Sequence, residues 1–165
     1  MGYLKNKKIN IYVCGPTLYD SPHIGNMRPI ITYDIYALAL KELGYKVNFI
    51  HNITDIDDKI IKKSIEKNIT ELEISNFYLK EYIQLLKNAN ITTIKKMPNV
   101  ANNIKGIAKY ISSLKKMGIA YESNGSVYFD TSKVDSYGTL SGRKNKINLI
   151  EEINYDKKNQ SDFAL

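Results

Sequence analysis

Residues 14 to 26 read Cys-Gly-Pro-Thr-Leu-Tyr-Asp-Ser-Pro-His-Ile-Gly-Asn. A thiol, an imidazole and a carboxamide stand close together along the chain, separated by glycine and proline. Cys14 can serve as a soft metal ligand, or it can pack as a small apolar residue at a strand end. His23 and Asn26 can donate hydrogen bonds to phosphate oxygens. Backbone N–H groups at the start of a helix attract the same anions. Gly25 lets the backbone approach a ligand closely. A plainer reading is that Gly25 turns the chain and His23 caps the helix, and both readings stay open. A second cluster, Asn52-Ile-Thr-Asp-Ile-Asp-Asp58, sets Thr54 and three carboxylates (Asp55, Asp57, Asp58) before a lysine-rich stretch. As structure alone it is a capped helix start, with Thr54 or Asn52 as N-cap and the acids on the helix dipole. His51 reads as a structural residue at a strand end.

The surrounding pattern supplies elements to hold these residues. Lys8 to Cys14 alternates and is rich in β-branched residues, which predicts a strand ended by Gly15-Pro16. From Asn26 onward Ile30, Tyr33, Ala37, Leu40 and Leu43 recur at three- and four-residue steps, which predicts a helix capped by Gly44. Tyr45 to Ile50 predicts a second strand. Strand, helix and strand with short connections make a right-handed βαβ unit with parallel strands, and such sheets bind ligands at the carboxyl ends of their strands. A helix begins near Lys59. Another starts at Thr70 and runs to about Ala89, with Leu72, Phe77, Leu79, Tyr82, Leu85 and Leu86 as its apolar set. Pro98 introduces a third from about Asn99 to Met117. Asn124-Gly125 between two apolar runs predicts a hairpin. From Ser132 the chain is polar and turn-rich, yet it finishes on Phe163-Ala-Leu165.

His23-Ile-Gly-Asn26 after a strand resembles the HIGH signature of class I aminoacyl-tRNA synthetases. The longer strings, Tyr12 to Asp20 before it and Asn52 to Ile60 after it, resemble cysteinyl-tRNA synthetase in particular. The likeness continues through Gly118 to Tyr121, the Gly125–Asp130 hairpin, Tyr137-Gly138 and Asp162-Phe163, so it covers essentially the whole chain. It implies an α/β fold: the first half of a Rossmann-like, doubly wound parallel sheet with a helical and β-hairpin connective insertion. On that pattern residues 1–95 belong to the nucleotide-binding catalytic domain and 96–165 to the connective segment. The implied reaction activates cysteine with ATP and transfers it to tRNA-Cys. His23 and Asn26 would be the catalytic pair, contacting ATP phosphates with Pro16, Thr17 and Gly25 beside them. Gly15 and Thr54 would contact the L-cysteine substrate. Cys14 matches the first ligand of a zinc site that takes the substrate thiolate directly and so rejects serine. Magnesium would accompany ATP. The final Asn of the motif still offers an amide donor.

Composition bounds these expectations. The chain has 165 residues, enough for a sizeable core, and 25% charged residues. It carries 24 basic and 17 acidic residues, a net charge of +7. That excess suits a polyanion such as RNA or ATP, or a solvated lysine surface produced by compositional drift. Cys14 is the sole cysteine, which excludes a disulfide scaffold. No apolar run approaches the roughly 18 residues of a membrane span, and no secretory leader is evident, so a cytoplasmic setting is expected. The family's second Cys, His and Glu zinc ligands, its KMSKS loop and its anticodon-reading domain have no match here. The expectation is therefore an N-terminal part, inactive without the remaining C-terminal half of the catalytic domain. A free-standing module that binds RNA or nucleotide, and a zinc-dependent cysteine:amine ligase, are the alternatives.

Overall fold

The computed structural model describes residues 7–142 and 156–165. The stretch 143–155 of the turn-rich tail, with Arg143, lies outside the described residues. The chain forms two compact units that divide after Asn103.

The first unit is built from β1 (Lys8–Val13), α1 (Ile24–Glu42), β2 (Lys46–His51), α2 (Asp58–Lys67), α3 (Glu71–Asn88) and β3 (Ile94–Lys96). The three strands form one parallel sheet in the order β1-β2-β3. β1 and β2 pair from Lys8 opposite Lys46 to Val13 opposite His51. Alternation along these strands turns Ile11, Val13, Phe49 and His51 into the core and leaves Tyr12 and Cys14 exposed. Ile30, Ala37, Phe49 and Ile60 are wholly buried, and Ile74 and Tyr82 nearly so. Each large apolar side chain removed from water in this way contributes about 1.5–3 kcal/mol.

The βαβ unit forms as its periodicity predicts, with several corrections in detail. α1 starts at Ile24, two residues early, because His23 and Asn26 close a capping box around its first turn. Its inward face is Met27, Ile30, Asp34, Ala37 and Leu40, whereas Tyr33 and Leu43 are exposed. In α3, capped by Thr70 and Glu73, the buried face holds Ile74, Ser75, Tyr78, Tyr82 and Leu86. Leu72 and Phe77 point to solvent. The N-cap of α2 is Asp57, not Thr54 or Asn52, and its carboxylate accepts from the Lys59 N–H at 2.9 Å. β3 has no counterpart among the predicted strands. No helix among the described residues is long and apolar enough to cross a membrane.

The second unit holds α4 (Ile104–Lys116), β4 (Ala120–Ser123), β5 (Ser126–Phe129) and β6 (Phe163–Ala164). The predicted third helix thus starts later than Asn99, preceded by a 3-10 turn over Ala101–Asn103. The predicted hairpin is β4 and β5, with Asn124 and Gly125 both at positive φ (48° and 80°). The apolar end of the chain is the third strand: Phe163 pairs with Phe129 and their rings stack at 5.1 Å. Buried Asp162 accepts hydrogen bonds from the Tyr121 hydroxyl at 2.7 Å and from the Thr131 N–H at 3.0 Å. Burial alone would raise its pKa, but those donors and the Asn159 N–H outweigh it and hold the carboxyl below its usual range.

Asp34 is the buried polar exception on the inward face of α1. Its Oδ1 accepts from the Thr92 N–H (3.2 Å), the Thr93 N–H (2.9 Å) and the Thr93 hydroxyl (2.5 Å), tying α1 to the turn that leads into β3. Asp34→Ala leaves those donors without their acceptor. We expect it to destabilise the chain by about 2–3 kcal/mol in urea unfolding, and a loss under about 0.5 kcal/mol would contradict the clamp.

Candidate active site

The parallel pairing of β1 and β2 continues past the strand ends. The Gly15 N–H donates to Asn52 Oδ1 at 2.9 Å. The Thr54 N–H donates to the Pro16 carbonyl (3.2 Å) and the Leu18 N–H to the Thr54 carbonyl (3.1 Å), so Thr17 and Thr54 form a parallel bridge. Ile53 and Asn99 make a second bridge, and the Ile53 N–H reaches the Pro98 carbonyl at 2.8 Å. Asp55 completes the lacing by accepting from Asn99 Nδ2 (2.5 Å), the Val100 N–H (2.9 Å) and the Ala101 N–H (3.0 Å). The loops that follow all three strands are therefore held together at the carboxyl end of the sheet, where α/β folds bind ligands.

Glycine at position 15 is a steric requirement. A Cβ there would lie 1.6 Å from the Asn52 carbonyl oxygen. Beneath this contact His51 is buried and has both ring nitrogens engaged. Its Nδ1–H donates to the Val13 carbonyl at 3.0 Å, and its Nε2 accepts from the Tyr82 hydroxyl at 2.7 Å. Burial lowers the His51 pKa against a smaller raising effect of the Val13 carbonyl, and burial pushes the Tyr82 hydroxyl up to about 12. Neutral imidazole is the form the fold accepts.

The loop from Thr17 to His23 is anchored along its length. Leu18 is buried, Lys59 Nζ sits 5.2 Å from the Tyr19 ring centre, and Ser21 Oγ donates to Glu81 Oε2 at 3.0 Å. At its far end His23 Nδ1 accepts from the Gly25 N–H (3.0 Å), and Asn26 Oδ1 accepts from the His23 N–H (2.9 Å). A Cβ on Gly25 would lie 2.8–2.9 Å from the His23 ring, so glycine is what lets the imidazole fold back over the turn. Capping therefore uses one acceptor from each side chain. It leaves the His23 Nε2–H and the Asn26 amide as donors at the exposed N-terminus of α1. The side-chain hydroxyls of Thr17 and Thr54 make no hydrogen bond within the described residues.

The structure thus joins Gly15, Pro16 and Thr17 to Thr54, and makes His23, Gly25 and Asn26 a second group at the other end of the same loop. Cys14, between them and β1, is exposed, which removes the reading of a buried apolar thiol. The described residues do not by themselves make a zinc site. Cys14 offers one ligand where a tetrahedral site uses four, His51 has no free nitrogen, and no three His, Cys, Asp or Glu side chains converge among the described residues. Sequence reasoning missed Asn52 as the acceptor for Gly15 and Asp55 as a clasp. Their only local signal was their position just past a strand.

Parallel sheet order, strand-end loops and helix cap make an α/β fold of the kind found in class I synthetases. The methionyl-tRNA synthetase of Mycobacterium tuberculosis, solved with methionyl-adenylate, has this fold: the structures match with a TM-score of 0.66 over 81% of this chain and 35% of that one, at 13% identity. A model of the family described as the tRNA synthetases class I (C) catalytic domain matches residues 1–165, and the chain belongs to that family. The cysteine–tRNA ligase of Malacoplasma penetrans is 49% identical over 98% of this chain and 38% of its own length. That of Clostridioides difficile is 41% identical over 98% of this chain and 36% of its own. The chain spans under two-fifths of the length of these relatives.

Two expectations follow from the His51 pair. Tyr82→Phe leaves a buried nitrogen without its donor and should lower stability by about 1–2 kcal/mol in urea unfolding. His51 and His23 are the only histidines. Below about pH 6.5 the unfolded chain takes up a proton that folded His51 refuses, so the urea midpoint should fall as pH drops from there through the lowered folded value. A midpoint that is flat or rises over that window would contradict the assignment.

Proposed function

We propose that this chain supplies the ATP- and cysteine-binding part of a cysteine–tRNA ligase, acting in the cytoplasm. The observation that carries the reading is the capped turn at α1, which presents the His23 Nε2–H and the Asn26 amide as donors to an anion at a helix N-terminus. On this reading residues 1–95 hold the first half of the nucleotide-binding domain and 96–165 the connective segment. The family match and the relatives named cysteine–tRNA ligase support the choice of amino acid.

In the proposed reaction a carboxylate oxygen of L-cysteine attacks the α-phosphate of ATP. The new P–O bond forms as the bond to the β-phosphate bridge breaks, and pyrophosphate leaves with the electron pair. His23 and Asn26 hydrogen-bond the phosphate oxygens, whose charge shifts as the bonds change, with Pro16, Thr17 and Gly25 lining the approach. The Thr54 hydroxyl and the Gly15 backbone sit beside the amino acid. Catalysis on this plan is positioning plus electrostatic stabilisation, with no covalent enzyme intermediate. A hydroxyl of the terminal ribose of tRNA-Cys then attacks the cysteinyl carbonyl and AMP departs. Magnesium would partly neutralise the phosphates of ATP. Cys14 would donate one thiolate toward zinc, the remaining ligands coming from outside the described residues.

The test is cysteine-dependent exchange of labelled pyrophosphate into ATP. The chain alone should show almost none, and adding the portion of the Malacoplasma penetrans relative outside the match should restore it. His23→Ala should then lower the restored rate by about 100-fold or more. Full exchange by the chain alone would overturn the division of the site. Salt-sensitive RNA binding with no exchange under either condition would favour a non-catalytic module, and transfer of cysteine to a small amine in place of tRNA would favour an amine ligase. Metal analysis is the companion measurement: the purified chain should hold well under one zinc per molecule, and a tightly bound stoichiometric zinc would contradict the single-ligand reading.

A further inference from the structure

Cys14 is held from both sides by two consecutive residues of the neighbouring strand end. Before it, the Val13 carbonyl accepts from His51 Nδ1 at 3.0 Å. After it, the Gly15 N–H donates to Asn52 Oδ1 at 2.9 Å. His51 is itself fixed by the Tyr82 hydroxyl at 2.7 Å. The missing Cβ of Gly15 lets residue 15 sit against the Asn52 carbonyl, so the turn has no room to slide. The backbone on both sides of the thiol is therefore set by β2, and the exposed Cys14 side chain retains only its own χ1 rotation.

We infer that Asn52 is a positioning residue for Cys14: by accepting from the Gly15 N–H it fixes the turn that sets the thiol and the Gly15 backbone at the proposed cysteine pocket. The role rests on the proposed reading of Cys14 and Gly15 as part of the cysteine pocket. Asn52 makes no contact with ATP in this scheme, so its effect falls on one substrate. Asp in its place keeps an acceptor of the same reach, whereas Ala removes it.

Two readouts test it on the 165-residue chain, used alone for amide exchange and with the complementing portion for activity. In Asn52→Ala the Gly15 amide should exchange with solvent about fivefold to tenfold faster, as loss of one hydrogen bond implies, and Asn52→Asp should restore protection. In pyrophosphate exchange Asn52→Ala should raise the KM for cysteine by about the same factor and leave the KM for ATP within about twofold, with Asp again restoring it. If Asn52→Ala does not fold, Asn52→Ser takes its place, since its shorter side chain cannot span to the Gly15 N–H. Equal rises in both KM values, failure of Asp to rescue, or unchanged Gly15 protection would overturn the role. If the wild type shows no pyrophosphate exchange with the complement present, the functional reading falls, and the clamp is then decided by the Gly15 amide alone.

Discussion

Hydrogen bonding that runs past the ends of β1 and β2 is the constraint on which the rest depends. Parallel strands usually part company where their loops begin. Here Gly15, Pro16, Thr17 and Leu18 remain paired with Asn52 and Thr54, and Asp55 extends the tie to the loop after β3. Each such bond adds only about 1 kcal/mol net, yet leaving the buried ones unmade would cost more than making them gains. The result is a laced rim of backbone and short polar side chains at the end of the sheet. Loops alone would not hold that geometry.

The turn at His23 shows how one set of residues can cap a helix and still offer donors outward. Capping and anion binding look like rival explanations for His-Ile-Gly-Asn. They are compatible in geometry, because each side chain has a second polar atom. Nδ1 of His23 and Oδ1 of Asn26 close the box, while Nε2 and the amide nitrogen stay available. Closing the box also selects the neutral tautomer that carries its proton on Nε2, the nitrogen able to donate outward. Gly25 is needed for the capped turn itself, since any side chain there meets the imidazole.

Much of this was legible in the sequence, for reasons that can be stated. Strand, helix and strand follow from the alternation in Lys8–Cys14 and the three- and four-residue steps after Asn26, and the Asn124-Gly125 hairpin follows from turn chemistry. The inward face of α1 was harder. That helix carries apolar residues all round, with Ile24 and Ile35 exposed, so periodicity could not separate Tyr33 and Leu43 from the buried set. It also concealed Asp34, a carboxylate on the core face whose partners lie nearly sixty residues away. β3 and β6 are two or three residues long and exist through pairing with distant strands, which no local pattern reports. At the candidate site, the exposed strand-end position of Cys14 and the capping by His23 and Asn26 follow from local pattern. The clasp roles of Asn52 and Asp55 do not, because they are defined by residues across the fold.

The central claim is that the strand-end loops and the capped turn of α1 form one binding region for an adenylate carrying cysteine. Amide chemical shifts of the isotope-labelled chain, followed as a non-hydrolysable cysteinyl-adenylate analogue is added, test this most directly. The account predicts saturable shifts concentrated at Cys14 to Thr17, His23 to Asn26 and Thr54. Shifts centred instead on the groove lined by Ile83, Leu86, Ile94 and Lys96, or confined to residues after Ile104, would contradict it.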